Sequence, residues 1–527
     1  MNCKYTKYVL PAVLILTLMP LFIFHLSFNN NDDQLMFLFS NGMSSKFQSN
    51  NLLLIHPVLS FLINKWNGIT SARTNTYSLF LYTTLSTNII LLFVYFAQCN
   101  SIKKLPETLV MVIFIFLGYF LYFYLELEFT SVSLLLVLSV LYFIITNKQQ
   151  NTILYIILFV IALLWRKESG IVFFLFSLPL WVIADLDKKK LFSTILTLFL
   201  IFIFIYLSEK MHVPYMQNNS FEKIKALDMV CARPSYYLHP SQSAPASVQL
   251  LKQWFCADEL YLTGDWLAKT GELFSINFDI SNLLHKIIRL IKDEQYGFLL
   301  FGLTLLSSTL SSKKHRRYLL FNLIILIIFL TYLLIFYRAP KRLILPILII
   351  LSLVQFHIFI TSSINMWTRY SFILLISVFC IIKTYKLFRL SEQHKQEHIK
   401  FNEINNTINS HPEYLFVANP QTIMLNYLNT LTPIDSIFIN GNIIIYGWIN
   451  LSPDFKTYLQ LFQLTNLTSD LINRDDILFI NDDKDFESAY IRFMKDVHHV
   501  NTEFINVNLS PLIKTKKLLL KREPSPN

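Results

Sequence analysis

Two adjacent carboxylates, Asp32 and Asp33, follow the first long apolar run of the chain, Tyr8 to Phe28, by only a few residues. Beside a membrane such a pair is costly unless it is solvated or used. A carboxylate within hydrogen-bond reach can take the proton of an attacking hydroxyl, so either is a candidate general base, with Asp33 preferred because Asp32 lies nearer the apolar run. The alternative is structural: an aspartate ahead of an apolar segment caps a helix, although one helix needs only one cap. His56, before Pro57 at the start of a second apolar stretch, is a further site candidate or else a packed or capping histidine. Glu126 and Glu128 stand in the short turn from Leu125 to Thr130. On a helix their i, i+2 spacing keeps them off a common face. One is then expected toward the site and the other toward water, unless both are solvated loop residues.

The elements that must position these groups are membrane spans. Of 527 residues, 54% are hydrophobic and only 15% charged, with a mean hydropathy of +0.47. A soluble domain averages about 25% charged residues, which excludes an ordinary cytosolic enzyme. The run Tyr8 to Phe28 covers roughly 30 Å as a helix, one hydrocarbon thickness. Lys4 and Lys7 precede it and no small-residue cleavage site follows, so it reads as an uncleaved anchor. Further apolar runs lie near 77–97, 106–125, 130–146, 151–165, 170–184, 191–207, 295–310, 318–336, 343–360 and 370–388. The expected fold is therefore an α-helical polytopic membrane protein of about eleven spans.

With the N-terminus in the cytoplasm, most basic loops fall on the cytoplasmic side, as the positive-inside rule requires. Two groups break it: Arg166 with Lys167, and Arg338 with Lys341 and Arg342. They are either snorkelling anchors at helix ends or a site for an anionic headgroup on the outer face. Lys383, Lys386 and Arg389 also run against the rule. The net charge of +11 is explained by the loops, and no groove-reading motif accompanies it, so nucleic acid is not an expected partner.

The transmembrane domain is expected over 1–389, with outer loops 29–76 and 208–294, and a C-terminal extramembrane domain over 390–527. In 29–76 the apolar stretches suit helices lying in the interface. In the C-terminal part, Tyr414–Val417, Ile443–Tyr446, Ile477–Ile480 and Phe504–Val507 read as buried strands, and Thr457–Leu464 and Phe486–Val497 as amphipathic helices. Alternating strands and helices imply a small α/β domain. Cys231 and Cys256 share the 208–294 loop, where oxidation is allowed, and a disulfide between them is expected. There is no phosphate-binding glycine loop, no zinc-protease motif, no paired CxxC and no nucleophile elbow. No nucleotide motif appears either, which argues for a donor already carried in the membrane.

Several patches resemble the GT-C class of membrane glycosyltransferases, and more narrowly a group of bacterial multi-pass proteins of that type. They are Asn31 to Met36 with Ser40-Asn41-Gly42, Glu128-Phe129-Thr130, Trp165 to Ser169, Trp254 to Asp258, and Tyr446-Gly447-Trp448 with Ser452-Pro453. The resemblance implies a sugar on a polyprenyl phosphate as donor, inversion at the anomeric carbon, and a first-loop aspartate, Asp32 or Asp33, as base. It further implies that Arg166 or Lys167, and Arg338 or Arg342, hold the lipid phosphate. The partners would be that lipid-linked sugar and membrane lipids, the place a bacterial inner membrane, and the C-terminal domain would lie on the outer face. This chemistry requires no metal, and the sequence offers no ligand set or cofactor motif. The rival readings are a lipid-linked glycan flippase or transporter, a surface-polysaccharide polymerase, and a non-catalytic relative of the same architecture.

Overall fold

The computed structural model describes residues 6–29, 31–41, 52, 55–70, 75–99, 112–146, 151–182, 187–212, 238–240, 250, 255, 274–276, 280–309, 313–336, 341–361, 365–432, 437–447, 453–465, 467–472, 474–511 and 513–520. Apolar runs fold as helices because a membrane offers the backbone no other hydrogen-bond partner. They form α1 (Thr6–Ile23), α2 (Asn31–Asn41), α3 (Pro57–Thr70) and α4 (Thr76–Cys99). Next come α5 (Val112–Leu125), α6 (Phe129–Thr146), α7 (Thr152–Trp165), α8 (Ser169–Ser177) and α9 (Lys188–His212). The bundle is completed by α10 (Ile280–Asp293), α11 (Gln295–Thr309), α12 (Lys313–Phe336), α13 (Lys341–Thr361) and α14 (Met366–Ser410).

Six of these helices, α4, α6, α9, α12, α13 and α14, are long and apolar enough to cross a membrane. This corrects the expected count of about eleven. The other five apolar runs form the shorter helices Val9–Ile23, Val112–Leu125, Thr152–Trp165, Ser169–Trp181 and Gln295–Leu306. Their ends have local causes. Arg166 turns extended (φ −157°, ψ 108°) and stops α7 after 14 residues, about 21 Å of rise. α8 tightens into a 3-10 turn over Leu178–Val182, at Pro179.

The innermost helices are α6 and α13, 94% and 83% buried over their apolar windows, against 22% for α9. The side chains that α9 turns outward, such as Phe192, Leu200 and Phe204, are large and apolar, a surface suited to lipid. α5 contains a π-helical turn, Phe116–Phe120. There a β-carbon on Gly118 would stand 2.9 Å from both Cβ and Sγ of Cys380, so α5 and α14 approach as closely as small residues permit.

The loop 29–76 departs from expectation in one half. α3 is amphipathic and exposes Phe61, Leu62, Trp66 and Ile69, as an interfacial helix should. α2 is instead buried from Asp33 to Ser40, because it lies beneath the C-terminal domain. Two short strands, β1 (Ser27–Phe28) and β2 (Glu126–Leu127), pair in parallel and tie the end of α1 to the end of α5. Another pair, β3 (Leu238–Pro240) and β4 (Phe274–Ile276), is antiparallel.

α14 runs 45 residues without a break and leads into the C-terminal domain. There β5 (Leu415–Ala418), β6 (Ile443–Ile445), β7 (Ile477–Ile480), β8 (Thr502–Ser510) and β9 (Ile513–Leu520) form one sheet in the order β6-β5-β7-β9-β8. The first three are parallel, and β9 is antiparallel to β7 and β8. Packed with them are α15 (Pro453–Gln460), α16 (Ser469–Ile472) and α17 (Lys484–His498). This is the expected small α/β domain, with two corrections. β8, which contains Phe504–Val507, is a half-exposed edge strand and not a buried one. α15 lies four residues earlier than Thr457–Leu464, over Pro453–Gln460, and starts where proline's fixed φ suits a first helical position.

The domain is seated on one end of the bundle. Thr430 donates its backbone N–H to the Leu26 carbonyl at 3.1 Å, and its hydroxyl meets the Tyr82 hydroxyl at 2.8 Å. The backbone N–H of His25 donates to Ser391 Oγ at 2.9 Å, and Ser27 Oγ meets His394 Nδ1 at 2.9 Å.

Candidate functional site

At that same end the chain brings five elements to one point. Pairing of β1 with β2 sets Ser27 opposite Glu126 and Phe28 opposite Leu127, and the Asn29 N–H continues the ladder to the Leu127 carbonyl at 3.1 Å. The first turn of α2 therefore begins against the start of α6. The N-terminus of α13 adds Lys341 and Arg342 from the side.

Asp32 and Asp33 point apart, as successive helical residues must. Asp32 keeps 22% of its side chain exposed and meets Arg342 Nη1 at 3.3 Å. The same nitrogen lies 3.3 Å from Glu128 Oε1, and Glu128 has no exposed side-chain surface. Glu128 Oε2 accepts from Asn29 Nδ2 at 3.1 Å and from Ser131 Oγ at 3.2 Å. Asp33 lies behind this row, fully buried. Its Oδ1 accepts from the Tyr77 hydroxyl at 2.7 Å and from the Phe129 backbone N–H at 3.0 Å.

Burial, and then the nearby Glu128 charge, push the Asp33 carboxyl well above the usual carboxylate range, against the Tyr77 and Phe129 hydrogen bonds. Burial raises Glu128 too, opposed chiefly by Arg342. Arg342 is thus the cation that makes a buried carboxylate and a half-exposed one tolerable together. A base that must meet an acceptor needs an open side, and of the two aspartates Asp32 has it. The geometry reverses the preference for Asp33.

A second group adjoins the first. Glu126 accepts from the Tyr122 hydroxyl, and lies 3.9 Å from Lys341 Nζ and 3.9 Å from His394 Nε2. Since β2 is extended, residues two apart share a face. Glu126 and Glu128 therefore both turn toward α13, which corrects the expectation that one faces water. Lys341 Nζ sits 3.9 Å over the Tyr122 ring. Lys383 and Lys386 of α14 sit 4.7 and 4.6 Å from the Tyr296 ring centre. Glu294, at the corner between α10 and α11, is only 3% exposed. Burial pushes its carboxyl up to about 7, against the pull of Lys341 and Lys383.

The remaining expected residues divide. Arg166 borders the site: Nη1 donates to Thr130 Oγ1 at 3.3 Å, its guanidinium covers the Phe129 ring at 5.3 Å, and Nε is 3.4 Å from Glu168. Lys167 turns away to Glu209, at 2.6 Å. His56 is not brought to the site. Its Nδ1 accepts from the Val58 N–H at 3.3 Å, the bond of a residue capping α3, and its Nε2 meets Ser208 Oγ at 3.2 Å. Arg338, Cys231 and Cys256 lie outside the described residues.

Sequence reasoning missed Tyr77, Asn29, Ser131, Tyr122, Tyr296 and Glu294. For Lys383 and Lys386 a signal existed, since they break the charge alternation. Among the described residues, no group of three or more His, Cys, Asp or Glu side chains is disposed to hold a metal ion.

No family model matches the chain, and no curated protein matches it. The functional reading therefore rests on the site.

Proposed function

We propose that the protein is a membrane glycosyltransferase that moves a sugar from a polyprenyl-phosphate donor to a glycan, lipid or protein acceptor. The observation that carries this reading is the partly exposed Asp32, held by Arg342, with the adjoining cation group of Lys341, Lys383 and Lys386 at one end of an apolar bundle.

The acceptor hydroxyl attacks the anomeric carbon from the face opposite the phosphate. Its proton passes to an Asp32 oxygen, a new C–O bond forms, and the bond from the sugar to the phosphate oxygen breaks. The electron pair stays on the departing polyprenyl phosphate, and configuration inverts. Negative charge grows on that phosphate, and fixed cations in a water-poor site stabilise it without reorganising. Arg342 is committed to Asp32 and Glu128, Lys167 to Glu209, and Arg166 to Thr130 and Glu168. The phosphate is assigned to Lys341, Lys383 and Lys386, of which Lys341 also lies 3.9 Å from Glu126. α3 and the C-terminal domain flank the acceptor side.

On this reading the N-terminus is cytoplasmic, and the site and the C-terminal domain face outward from a bacterial inner membrane. A transporter would carry charge along its path through the spans, whereas these charges gather at one end.

The test is transfer by purified protein in lipid from a panel of polyprenyl-phosphate sugars. The parent is expected to transfer at least one, and Asp32→Asn to lose activity by about 10²–10⁴. Transfer by Asp32→Asn at the parental rate would remove Asp32 as base. No transfer from any donor would remove the enzyme reading.

A further inference from the structure

Glu294 has no role in the transfer chemistry, yet it is a buried carboxyl among lysines. Its place is fixed from both sides: its N–H donates to the Leu290 carbonyl at 2.9 Å, and its own carbonyl accepts from the Phe298 N–H at 3.0 Å. This backbone corner turns α10 into α11 and aims the side chain inward. Its Oε1 is buried and accepts no hydrogen bond. The charged groups that act on it come from four elements: Lys341 from α13, Lys383 from α14, Glu126 from β2 and Asp293 from α10. The rings of Tyr122 and Tyr296 bear the lysines on their faces.

A buried carboxyl with one oxygen left without a hydrogen-bond donor stays ionised only as long as nearby cations compensate it. Here that compensation comes from Lys341 and Lys383, which are two of the three cations assigned to the phosphate. An arriving phosphate brings negative charge to the same ammonium groups. It adds like-charge repulsion to a site where the carboxylate is already poorly solvated. The carboxylate can relieve this by taking a proton.

We propose that Glu294 is a proton-exchanging counter-ion, so that an anionic phosphate binds at Lys341, Lys383 and Lys386 with uptake of one proton by Glu294. This rests on the phosphate assignment made above and adds to it a proton coupling. No covalent bond is made or broken. The proton comes from solvent, the carboxylate becomes a carboxylic acid, and release of the phosphate returns the proton. Burial holds the Glu294 carboxyl at about 7, so the exchange falls in a physiological range. The expected consequence is a phosphate affinity that weakens as pH rises, by about tenfold between pH 6 and pH 8 for one linked proton.

The experiment is calorimetric titration of the purified full-length protein in detergent. The probes are farnesyl phosphate, phosphatidylglycerol and inorganic phosphate, each in two buffers of different ionisation enthalpy. The difference between the parent and Glu294→Gln cancels protons that belong to the phosphate itself. At pH 8, where Glu294 is ionised before binding, parent protein should take up close to one proton more than the variant per farnesyl phosphate bound, while the variant still binds with a weaker pH dependence. Equal uptake by both proteins would overturn the proposal and leave the phosphate site standing. No binding of any probe would overturn the phosphate site and the proposal together. Preference for phosphatidylglycerol over farnesyl phosphate would keep the coupling and assign the site to bulk lipid headgroups. If Glu294→Gln does not fold, infrared difference spectra of the parent decide. Added farnesyl phosphate should produce the C=O stretch of a buried carboxylic acid, and a spectrum without that band overturns the coupling.

Discussion

The Tyr77 hydroxyl donates to Asp33 at 2.7 Å, and this bond separates the roles of two adjacent aspartates. Tyr77 lies one residue into α4 and reaches across to the first turn of α2. With the Phe129 N–H on the same oxygen, it anchors Asp33 inside the protein. Asp32, one residue earlier and about 100° around the helix, is left toward Arg342 and the open side.

The first prediction concerns Asp33 and pH. An unfolded aspartate ionises near its ordinary value of about 3.9, whereas the folded Asp33 carboxyl holds its proton to higher pH. The folded state then binds more protons than the unfolded one, so stability falls as pH rises from the unfolded pKa through the folded one. Asp33→Asn cannot titrate but retains an acceptor for Tyr77 and Phe129. Its thermal midpoint should vary less than the parent's between about pH 4 and pH 8. Asp33→Ala, which loses both bonds, should cost about 1–3 kcal/mol. Identical pH profiles for parent and Asp33→Asn would contradict the buried-proton account.

Arg342 supplies the second. Replacing it with Gln leaves Glu128 buried beside Asp32 with no cation, a change that typically costs about 3–5 kcal/mol. Adding Glu128→Gln should recover a large part of that loss. A double-mutant cycle in thermal unfolding measures it, and strict additivity of the two substitutions would mean the ion pair is not coupled.

The third separates two sets of basic residues. Lys341→Gln and Lys383→Gln should each weaken binding of a polyprenyl phosphate, by roughly tenfold to a hundredfold for the loss of one charged hydrogen bond. Lys167→Gln should leave binding unchanged, since Lys167 is committed to Glu209. The reverse ranking would return the phosphate to the 166–167 corner.

These contrasts also mark what the sequence could reveal. The apolar runs, the acidic turn at Glu126 and Glu128 and the basic pair Lys341-Arg342 were legible, because composition and the charge rule act locally. β9 was not, because Ile513–Leu520 is rich in lysine. It holds as a strand because it pairs with β7 and β8 and buries Ile513, Thr515 and Leu518. Nor could spacing show that Glu126 and Glu128 face the same way, which depends on the pairing of β2 with β1. Glu294 was invisible because its partners come from positions far along the chain.

The fourth prediction is topological. The C-terminal domain touches the end of α1 through Thr430 and Leu26, so it must share a membrane side with the first loop. Single cysteines at Lys65 and Ile439, both exposed, should label together with an impermeant maleimide in intact cells, in a background without other reactive cysteines. Labelling of one position but not the other would contradict the seating of the domain.

The unbroken α14 has a consequence for which changes of length the chain can accept. The helix sets the helical phase between Lys383, inside the site, and His394, which meets Ser27 on the domain side. One residue inserted between these positions would turn everything beyond it by about 100° and advance it about 1.5 Å. Thr430 could then no longer reach Leu26 while Lys383 still faced Tyr296. Seven inserted residues would nearly restore the phase but lift the domain about 10 Å off its seat. This stretch of α14 should therefore accept substitutions on its exposed side and reject insertions and deletions of any length, as a ruler does.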